Sequence, residues 1–178
     1  MMVTLTVAAI LAMLAAPSFA DFIDRARLKG VAGNVTDFIN DARAESVKRN
    51  RNVNVAFGGT TAAWCVGANG PTEPNAGDPV PTAPPSCDCN ANASSCKVGS
   101  DQKTLLSTDT NGVVLSAVPG AFVFDSRMGT INPLGTTTVT MTSPRGKFDL
   151  RLTVTPLGQV TLCTPAGKPP VSEYASCP

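Results

Sequence analysis

The sequence predicts an α+β protein in which a long N-terminal helix, with a membrane-spanning half and an amphipathic half, packs on an antiparallel β-sheet domain. Residues 1–20 carry no charge and lead, without a glycine before residue 30, into an amphipathic segment that ends near residue 52. Beyond that point the apolar residues alternate in short runs bounded by Gly, Pro, Asn or Asp, which is typical of strands. The chain of 178 residues therefore divides into a helix over 1–52 and a β domain over 53–178.

Residues 1–20 are long enough to cross a membrane as a helix. At about 1.5 Å per residue they span roughly 30 Å, the thickness of the hydrocarbon core of a bilayer. Pro17 removes one backbone hydrogen bond and is expected to kink this helix. A secretory signal peptide is the alternative, because Ser18-Phe19-Ala20 resembles a cleavage site, although no Lys or Arg precedes the apolar stretch.

The segment over residues 21–52 predicts an amphipathic continuation of the same helix. Its apolar residues recur at steps of three and four, so we expect one apolar stripe, with Phe38 and Ile39 buried under the sheet. The whole helix would be about 75 Å long, which suits the anchored subunit of a filament better than a soluble domain. The predicted stripe comprises Phe22, Ala26, Leu28, Val31, Val35, Phe38, Ile39, Ala42 and Val47.

Seven short runs in the remainder predict the strands of the antiparallel sheet. Residues 156–158, Pro-Leu-Gly, are expected to form the turn of a hairpin between the last two runs. Residues 68–101 are rich in Pro, Asn, Ser and Gly and predict a surface loop outside the core, either merely variable or an interaction surface. The seven runs are 53–57, 61–66, 113–117, 121–125, 136–142, 148–155 and 159–163.

Six cysteines, an even number, indicate disulfides in an exported chain. Cys163 and Cys177 flank a short Pro-rich tail and are expected to pair. Cys65 is then expected to bridge into the loop over residues 68–101. That loop holds three cysteines, so its other two would form a local pair.

The three loop cysteines have a second possible use. Cys87, Cys89 and Cys96 could supply thiolates to a metal ion, but the Cys-x-Cys spacing is poor for zinc and no His completes the set. A bond between the neighbours Cys87 and Cys89 is disfavoured, because so small a ring strains disulfide geometry. Disulfides that join the loop to the rest of the domain are therefore the favoured interpretation.

The composition argues against an enzyme. The chain has no His, which excludes Ser-His-Asp and Cys-His catalysis and His-based metal sites. Its Ser, Asp and Lys residues show no triad-like grouping, so we expect no catalytic site and no cofactor. The formal net charge of +1 gives no global attraction to nucleic acid or acidic lipid.

The N-terminal third of the chain resembles a known family. An uncharged, Ala- and Leu-rich stretch with a Pro about two-thirds along it, then Phe and an amphipathic helix, looks like a type IV pilin or pseudopilin. The helix end, Ala-Arg-Ala-Glu over residues 42–45 with Arg49, is similar to the GspH/FimT group of minor pilins, in which such a run closes the long helix. The resemblance covers residues 2–60 well and the remainder loosely.

This resemblance implies a structural subunit of a type IV pilus or a type II secretion pseudopilus, with a priming or tip role. Its partners would be other pilins or pseudopilins through the N-terminal helix, the inner membrane and the assembly machinery. The subunit would cross the inner membrane once, keep its β domain in the periplasm and enter a surface filament on assembly. Pilin precursors begin with a short basic leader ending in Gly, then Phe and, a few residues on, a Glu, and the sequence from Met1 departs from that pattern. Such a stretch in frame upstream of Met1 would identify the chain as a pilin.

Two groups of basic residues are candidate phosphate contacts. Those at the helix end either favour the helix dipole or bind phosphate of DNA or lipid. Some members of the FimT branch bind DNA through Gly-Arg-x-Arg near the C-terminal strand, and the matching residues 158–161 read Gly-Gln-Val-Thr, so we expect weak DNA binding. The candidates are Arg43, Lys48, Arg49 and Arg51 at the helix end, and Arg145, Lys147 and Arg151 near the last hairpin.

Two other functions remain as alternatives at this point. One is a minor pilin that takes up DNA in natural transformation, as in the FimT branch. The other is a periplasmic or secreted disulfide-rich binding protein whose signal peptide is cleaved after Ala20. The N-terminal sequence of the protein from its host separates this second alternative from a filament subunit.

Overall fold

The computed structural model describes residues 2–70 and 86–178, with side chains from Ser18 onward. One long α-helix, α1, runs over Met2–Arg49. Eleven short strands follow within the described ranges. They are β1 Val53–Gly59, β2 Trp64–Asn69, β3 Lys97–Val98, β4 Asp101–Gln102, β5 Thr104–Leu106, β6 Val114–Leu115, β7 Phe122–Phe124, β8 Ile131–Asn132, β9 Thr137–Thr142, β10 Asp149–Val154 and β11 Val160–Cys163.

The strands form two main sheets that both pack on the helix. The five-stranded sheet has the order β5-β2-β1-β7-β8, the four-stranded sheet has the order β11-β10-β9-β6, and β3 pairs with β4 alone. Neighbouring strands are antiparallel throughout. Helix α1 contacts β1 and β7 of the first sheet and β9, β10 and β11 of the second. The predicted α+β class is therefore confirmed.

The helix ends three residues before the boundary predicted at residue 52. Asn50 has a φ of 49°, in the left-handed region, which Asn adopts more readily than most side chains. The N–H of Arg51 donates to the carbonyl of Ser46 at 3.0 Å, as at many helix ends of this kind. The chain then turns directly into β1.

One side of α1 is buried against the two sheets. Its side chains, spaced three or four residues apart, are at most 3 % exposed. Ile39 is fully buried, as predicted, and Phe38 is half-buried beside the same core. The buried set is Asp24, Leu28, Val31, Ala32, Val35, Ile39, Ala42 and Ser46.

Three residues of the predicted stripe lie on the outer side of the helix instead. Phe22 and Val47 are 65 % and 51 % exposed, and Ala26 is exposed as well. Residue 26 precedes Val35 by nine positions, which at 3.6 residues per turn places the two on opposite sides. The prediction for these residues was wrong because a helical turn is 3.6 residues, so each step of three or four departs slightly from a full turn. Over several steps these departures can add up, and the selected residues then move to the opposite side of the helix.

The predicted hairpin joins β10 and β11. Leu152 lies opposite Leu162, and both side chains face the core. Gly158 in the turn has a φ of 72°, and a Cβ there would lie 2.3 Å from the carbonyl oxygen of Gly129. Glycine is required at this position, because any side chain would be strained and would collide with that carbonyl.

The loop predicted over residues 68–101 is partly core. Ala68 and Val98 are fully buried within the main core. Strand β2 extends into the predicted loop, and Gly70 forms a bridge to Val98. The prediction was wrong at both ends because a single apolar residue among polar neighbours gives no periodic signal. Residues 71–85, which hold most of the prolines, lie outside the described residues.

In the part of the chain that the structure describes, no helix is long and apolar enough to cross a membrane. The segment predicted to do so, residues 1–20, falls mainly on side chains outside those described. The kink predicted at Pro17 also lies outside them and stays a prediction.

Candidate functional site

Three disulfides join the six cysteines, and none of the six is free. The loop cysteines are thus engaged with each other or with β2, which leaves no thiolate for the metal site considered as an alternative. Within residues 2–70 and 86–178, no group of His, Cys, Asp or Glu is placed to hold a metal ion. The pairs are Cys65–Cys89, Cys87–Cys96 and Cys163–Cys177.

Two of the disulfides form a buried cluster over strands β1 and β2. All four of their cysteines are buried, and Leu106 packs beside them. A Cβ added at Gly67 would lie 2.5 Å from the Sγ of Cys96 and 2.7 Å from that of Cys87. The absence of a side chain at Gly67 is therefore what lets the sulfur atoms rest on the sheet.

Arg43, a candidate phosphate contact, holds two turns against the helix. Its Nε donates to the carbonyl of Gly129 at 3.0 Å, and its Nη2 donates to the carbonyl of Leu157 at 2.9 Å. These bonds join α1 to the turn between β7 and β8 and to the turn of the last hairpin. The guanidinium of Arg43 therefore has a structural role, since two of its nitrogens donate to backbone carbonyls of the same chain.

Two of the other helix-end cations contact Glu45. Arg49 contacts this carboxylate at 2.5 Å and Lys48 contacts it at 3.3 Å. Arg49 also lies 3.6 Å from Asp101 in β4, which ties the helix end to the small two-stranded ribbon. Arg51 is half-buried just beyond the helix. This arrangement favours the helix-end interpretation of these residues over a phosphate site.

The candidate phosphate contacts near the last hairpin lie in two separate places. Arg145 and Lys147 lie in the exposed β9–β10 turn, and both pair with Asp21 of α1, at 3.6 Å for Arg145. Arg151 lies on the outer face of β10, opposite Cys163. The structure therefore brings Arg145 and Lys147 together at the start of the amphipathic half and leaves Arg151 apart from them.

The residues that match the DNA-binding element lie at a sheet edge. Strand β11 is the outermost strand of the four-stranded sheet, and Gln159 and Thr161 are exposed there. Thr161 pairs with Thr153 of β10, so its side chain shares the outer face with Arg151. Arginines at 159 and 161 would find open space, but the residues present offer no charge.

Ion pairs lower the pKa of two carboxyls on the helix. A hydrogen bond from Lys147 lowers the pKa of Asp21, and a hydrogen bond from Arg49 lowers that of Glu45. A carboxylate whose pKa is lower in the folded chain than in the unfolded chain stabilises the fold above its unfolded pKa. That stabilisation is lost as the pH falls through the folded pKa.

We accordingly expect the melting temperature of the full chain in detergent to fall as the pH drops below about 4, the ordinary range of carboxyl groups. Glu45→Gln should lower the melting temperature near neutral pH and flatten its acid-side decline, as followed by circular dichroism. Glu173→Gln is the control, because Glu173 is a carboxylate 77 % exposed that also pairs with a lysine, Lys29. Identical acid-side slopes for wild type and Glu45→Gln would contradict the expectation.

The outer face of α1 carries exposed apolar and small residues. Phe19 and Phe22 are each 65 % exposed, and Val47 is 51 % exposed. Between them, Gly30 and Gly33 have no atom of the described chain within 4 Å of a Cβ position. The sequence did not reveal this face, since Phe22 and Val47 were assigned to the buried stripe and Phe19 to the membrane-spanning segment. The two mid-helix glycines were the available signal.

Comparison with known proteins identifies the family. The sequence model of the family described as type II transport protein GspH matches residues 32–158. A crystal structure of the type IV minor pilin FimU from Pseudomonas aeruginosa strain PAO1 is similar in fold, with a TM-score of 0.50 and 14 % identity, covering 79 % of this chain and 91 % of that chain. No curated protein matches the chain.

The family match and the fold agree with each other. The match covers well over half of the chain, from the middle of the amphipathic half of α1 to the turn that precedes β11. Proteins of this family and fold are structural pilins of the cell envelope that associate with other pilins in a filament. The chain belongs to the GspH family, as a structural pilus or pseudopilus subunit with the fold of a minor pilin.

Proposed function

We propose that this chain is a minor subunit that primes or caps a filament at its tip, in a type IV pilus or a type II secretion pseudopilus. Residues 1–20 hold the subunit in the inner membrane, with the β domain in the periplasm, until the assembly machinery extracts it. Extraction then replaces lipid contacts of the helix by contacts with the helices of other subunits. No chemical step is assigned to the chain.

The outer face of α1 is the observation that carries this proposal. The described protein covers only one side of the helix, and the other side presents Phe19, Phe22 and Val47 to the surroundings. Gly30 and Gly33 lie on the uncovered side. Small residues allow helix backbones to approach closely, so this face fits the helix of a neighbouring subunit.

The two glycines provide a prediction that separates folding from assembly. Gly30→Ala and Gly33→Ala should each stabilise the isolated chain by about 0.5–1 kcal/mol, because Ala is the better helix former and has free space there. The same changes should reduce incorporation into filaments, measured by immunoblotting of sheared filament fractions. Full incorporation together with a raised melting temperature would show that this face meets no neighbour.

Site-specific photo-crosslinking tests the face directly. With p-benzoyl-phenylalanine in place of Phe22, the full chain in its host should form covalent adducts with other pilins or pseudopilins, identified by mass spectrometry. The same probe in place of Leu134, which is 78 % exposed after β8, is the control for random collision. Adducts that are equal at both positions, or that lack any pilin at Phe22, would refute the proposal.

Deletion of the gene distinguishes the two systems. If the chain is a pilus subunit with a priming role, the deletion strain should have fewer surface filaments, each of normal length, and should secrete type II substrates normally. If the chain is a pseudopilus subunit, the deletion strain should fail to secrete these substrates and should keep its surface pili. Normal filaments and normal secretion in the deletion strain would exclude the proposed role in both systems.

Weak binding of duplex DNA is a further expectation. Gln159 and Thr161 carry no charge, and the guanidinium of Arg43 beside them is held by the carbonyls of two turns. Arg145 and Lys147 lie beside Asp21, at the other end of the amphipathic half of α1. A site with few free cations neutralises few phosphates, so we expect a Kd no tighter than roughly 10⁻⁴–10⁻⁶ M near physiological salt. Fluorescence anisotropy of labelled duplex with the full chain in detergent measures it.

The matched variant of this experiment is Gln159→Arg with Thr161→Arg. It should bind more tightly than wild type and with a steeper salt dependence, because each added arginine releases a counterion. Submicromolar binding by the wild type would instead make DNA uptake the leading function.

A further inference from the structure

Five basic side chains lie where the β domain meets α1, near the end of the helix at which its uncharged segment stops. Arg145 and Lys147, from the β9–β10 turn, contact Asp21, which is the first charged residue after residues 1–20. These turn residues therefore lie at the level where the apolar segment ends. The basal surface, as we term this set, comprises Arg25, Lys29, Arg145, Lys147 and Lys168.

Neighbours in the β domain hold the cations of the basal surface in place. The guanidinium of Arg25 lies 4.9 Å from the ring centre of Phe148, and the ammonium of Lys147 lies 5.5 Å from the same ring. Lys29, one helical turn beyond Arg25 on the same side, contacts Glu173 at 2.9 Å. Aromatic and carboxylate neighbours thus hold the cations in place around the base of the β domain.

An open groove of about 350 Å³ enters this surface beside the helix. Two cations, Arg25 and Lys29, line it together with the hydroxyl-bearing Ser172 and the exposed ring of Phe22. Charged nitrogen donors and hydroxyls bind phosphate oxygens, and aromatic rings at a membrane surface sit at the level of the headgroups. The groove has the chemistry of a phospholipid headgroup site.

The carboxylates at this end reduce the positive charge without cancelling it. Asp21 pairs with the turn, Glu173 with Lys29, and Asp149 with Lys168 at 3.4 Å. Asp24 is buried in the helix interface. A small excess of positive charge suffices, because a domain tethered to the membrane needs only weak additional contacts to rest on it.

We propose that the basal surface docks the β domain on the headgroups of an anionic phospholipid bilayer while the subunit waits for assembly. This inference rests on the proposed residence of residues 1–20 in the membrane. Docking fixes the height and orientation of the β domain, and with them the direction in which the outer face of α1 points along the membrane plane. Each lysine or arginine at an anionic surface contributes to that orientation.

Hydrogen exchange of the reconstituted full chain tests the proposal. The protein is incorporated into vesicles of phosphatidylcholine and into vesicles of an equal mixture of phosphatidylcholine and phosphatidylglycerol. Amides of the turn over residues 143–147 should exchange several-fold more slowly in the anionic vesicles, and high salt should remove the difference. Arg145→Gln with Lys147→Gln should remove this protection, because each cation adds about fivefold to the affinity for an anionic surface.

Two matched variants separate lipid contact from the loss of an ion pair. Asp21→Asn breaks the same ion pairs but keeps both cations, so its anionic-lipid protection should persist or increase. Arg127→Gln removes an exposed cation near Arg43, about 30 Å further along the helix, and should change nothing. Loss of protection in Asp21→Asn equal to that in the double variant would overturn the proposal.

Flotation distinguishes failure of this inference from failure of the proposed function. If the chain floats with both vesicle types and the turn exchanges equally in them, the basal surface does not bind anionic headgroups, although the membrane residence stands. If the chain floats with neither, the membrane residence is wrong and the basal surface is overturned with it.

Discussion

Ile39→Ala should lower the free energy of unfolding by about 2–5 kcal/mol, the range for truncating a fully buried aliphatic side chain. Ile39 is 0 % exposed and lies in the middle of the buried side of α1, within the core shared by both sheets. The loss combines the transfer of the removed carbons and the cavity left among neighbours that cannot close it. Urea unfolding of the full chain in detergent, followed by circular dichroism of the β domain, measures the change.

Val47→Ala on the same helix is the control for this result. Val47 is 51 % exposed, so its truncation should change the free energy of unfolding by no more than about 0.5 kcal/mol. Both variants truncate a β-branched aliphatic side chain to Ala in the same helix, so the main difference between them is the burial of the side chain that is removed. Equal losses in the two variants would mean that the helix does not pack on the sheets through the side described here.

Gly67→Ala should destabilise the oxidised protein by about 1–3 kcal/mol, the range for inserting a methyl group into a packed site. The new Cβ would lie 2.5 Å from the Sγ of Cys96 and 2.7 Å from the Sγ of Cys87, distances at which the disulfide has to move. The disulfide cannot move freely, because a second one, Cys65–Cys89, is buried beside it.

Two comparisons make the Gly67 result specific. Gly120→Ala adds the same methyl group in open space, with no atom within 4 Å, and should leave the stability close to that of wild type. Reduction with dithiothreitol should shrink the difference between Gly67→Ala and wild type, because the separated sulfur atoms of Cys87 and Cys96 can make room. A penalty that is the same in oxidised and reduced protein would place the clash elsewhere.

The periodicity of the helix was predictable, but its buried side was only partly so. Steps of three and four found Leu28, Val35 and Ile39, which are buried. The same steps also collected Phe22 and Val47, which are exposed, and omitted Asp24 and Ser46, which are buried. Apolar character alone misleads here, because apolar residues lie on both sides of this helix and only one side packs on its own core.

The loop shows a different limit of the sequence. Its Pro- and Asn-rich composition predicted a surface loop outside the core, yet Ala68 and Val98 near its two ends are core residues. Each is fixed by a contact across the fold, such as the bridge between Gly70 and Val98, rather than by a local pattern. Pairing over nearly thirty residues leaves no periodic trace in the segment between.

Only the three-dimensional structure shows which of the candidate basic residues share a contact. The sequence set Arg43 beside Lys48 and Arg49 as one cluster, but Arg43 caps two distant turns whereas the other two contact Glu45. Conversely, Arg25 and Lys147 are far apart in sequence and flank the same ring of Phe148. Charge counts in sequence cannot show which cations are engaged by the fold.

The sequence by itself determined the class of this protein: an uncharged stretch, an amphipathic helix ended by a recognisable motif, and alternating strands in a chain without His. These features are local, because helix and strand periods are properties of neighbouring residues. The tertiary structure alone decided which side of α1 faces the sheets and which cations gather at its base. Those outcomes depend on contacts between segments distant in sequence, such as that of Asp21 with Lys147, which no local pattern encodes.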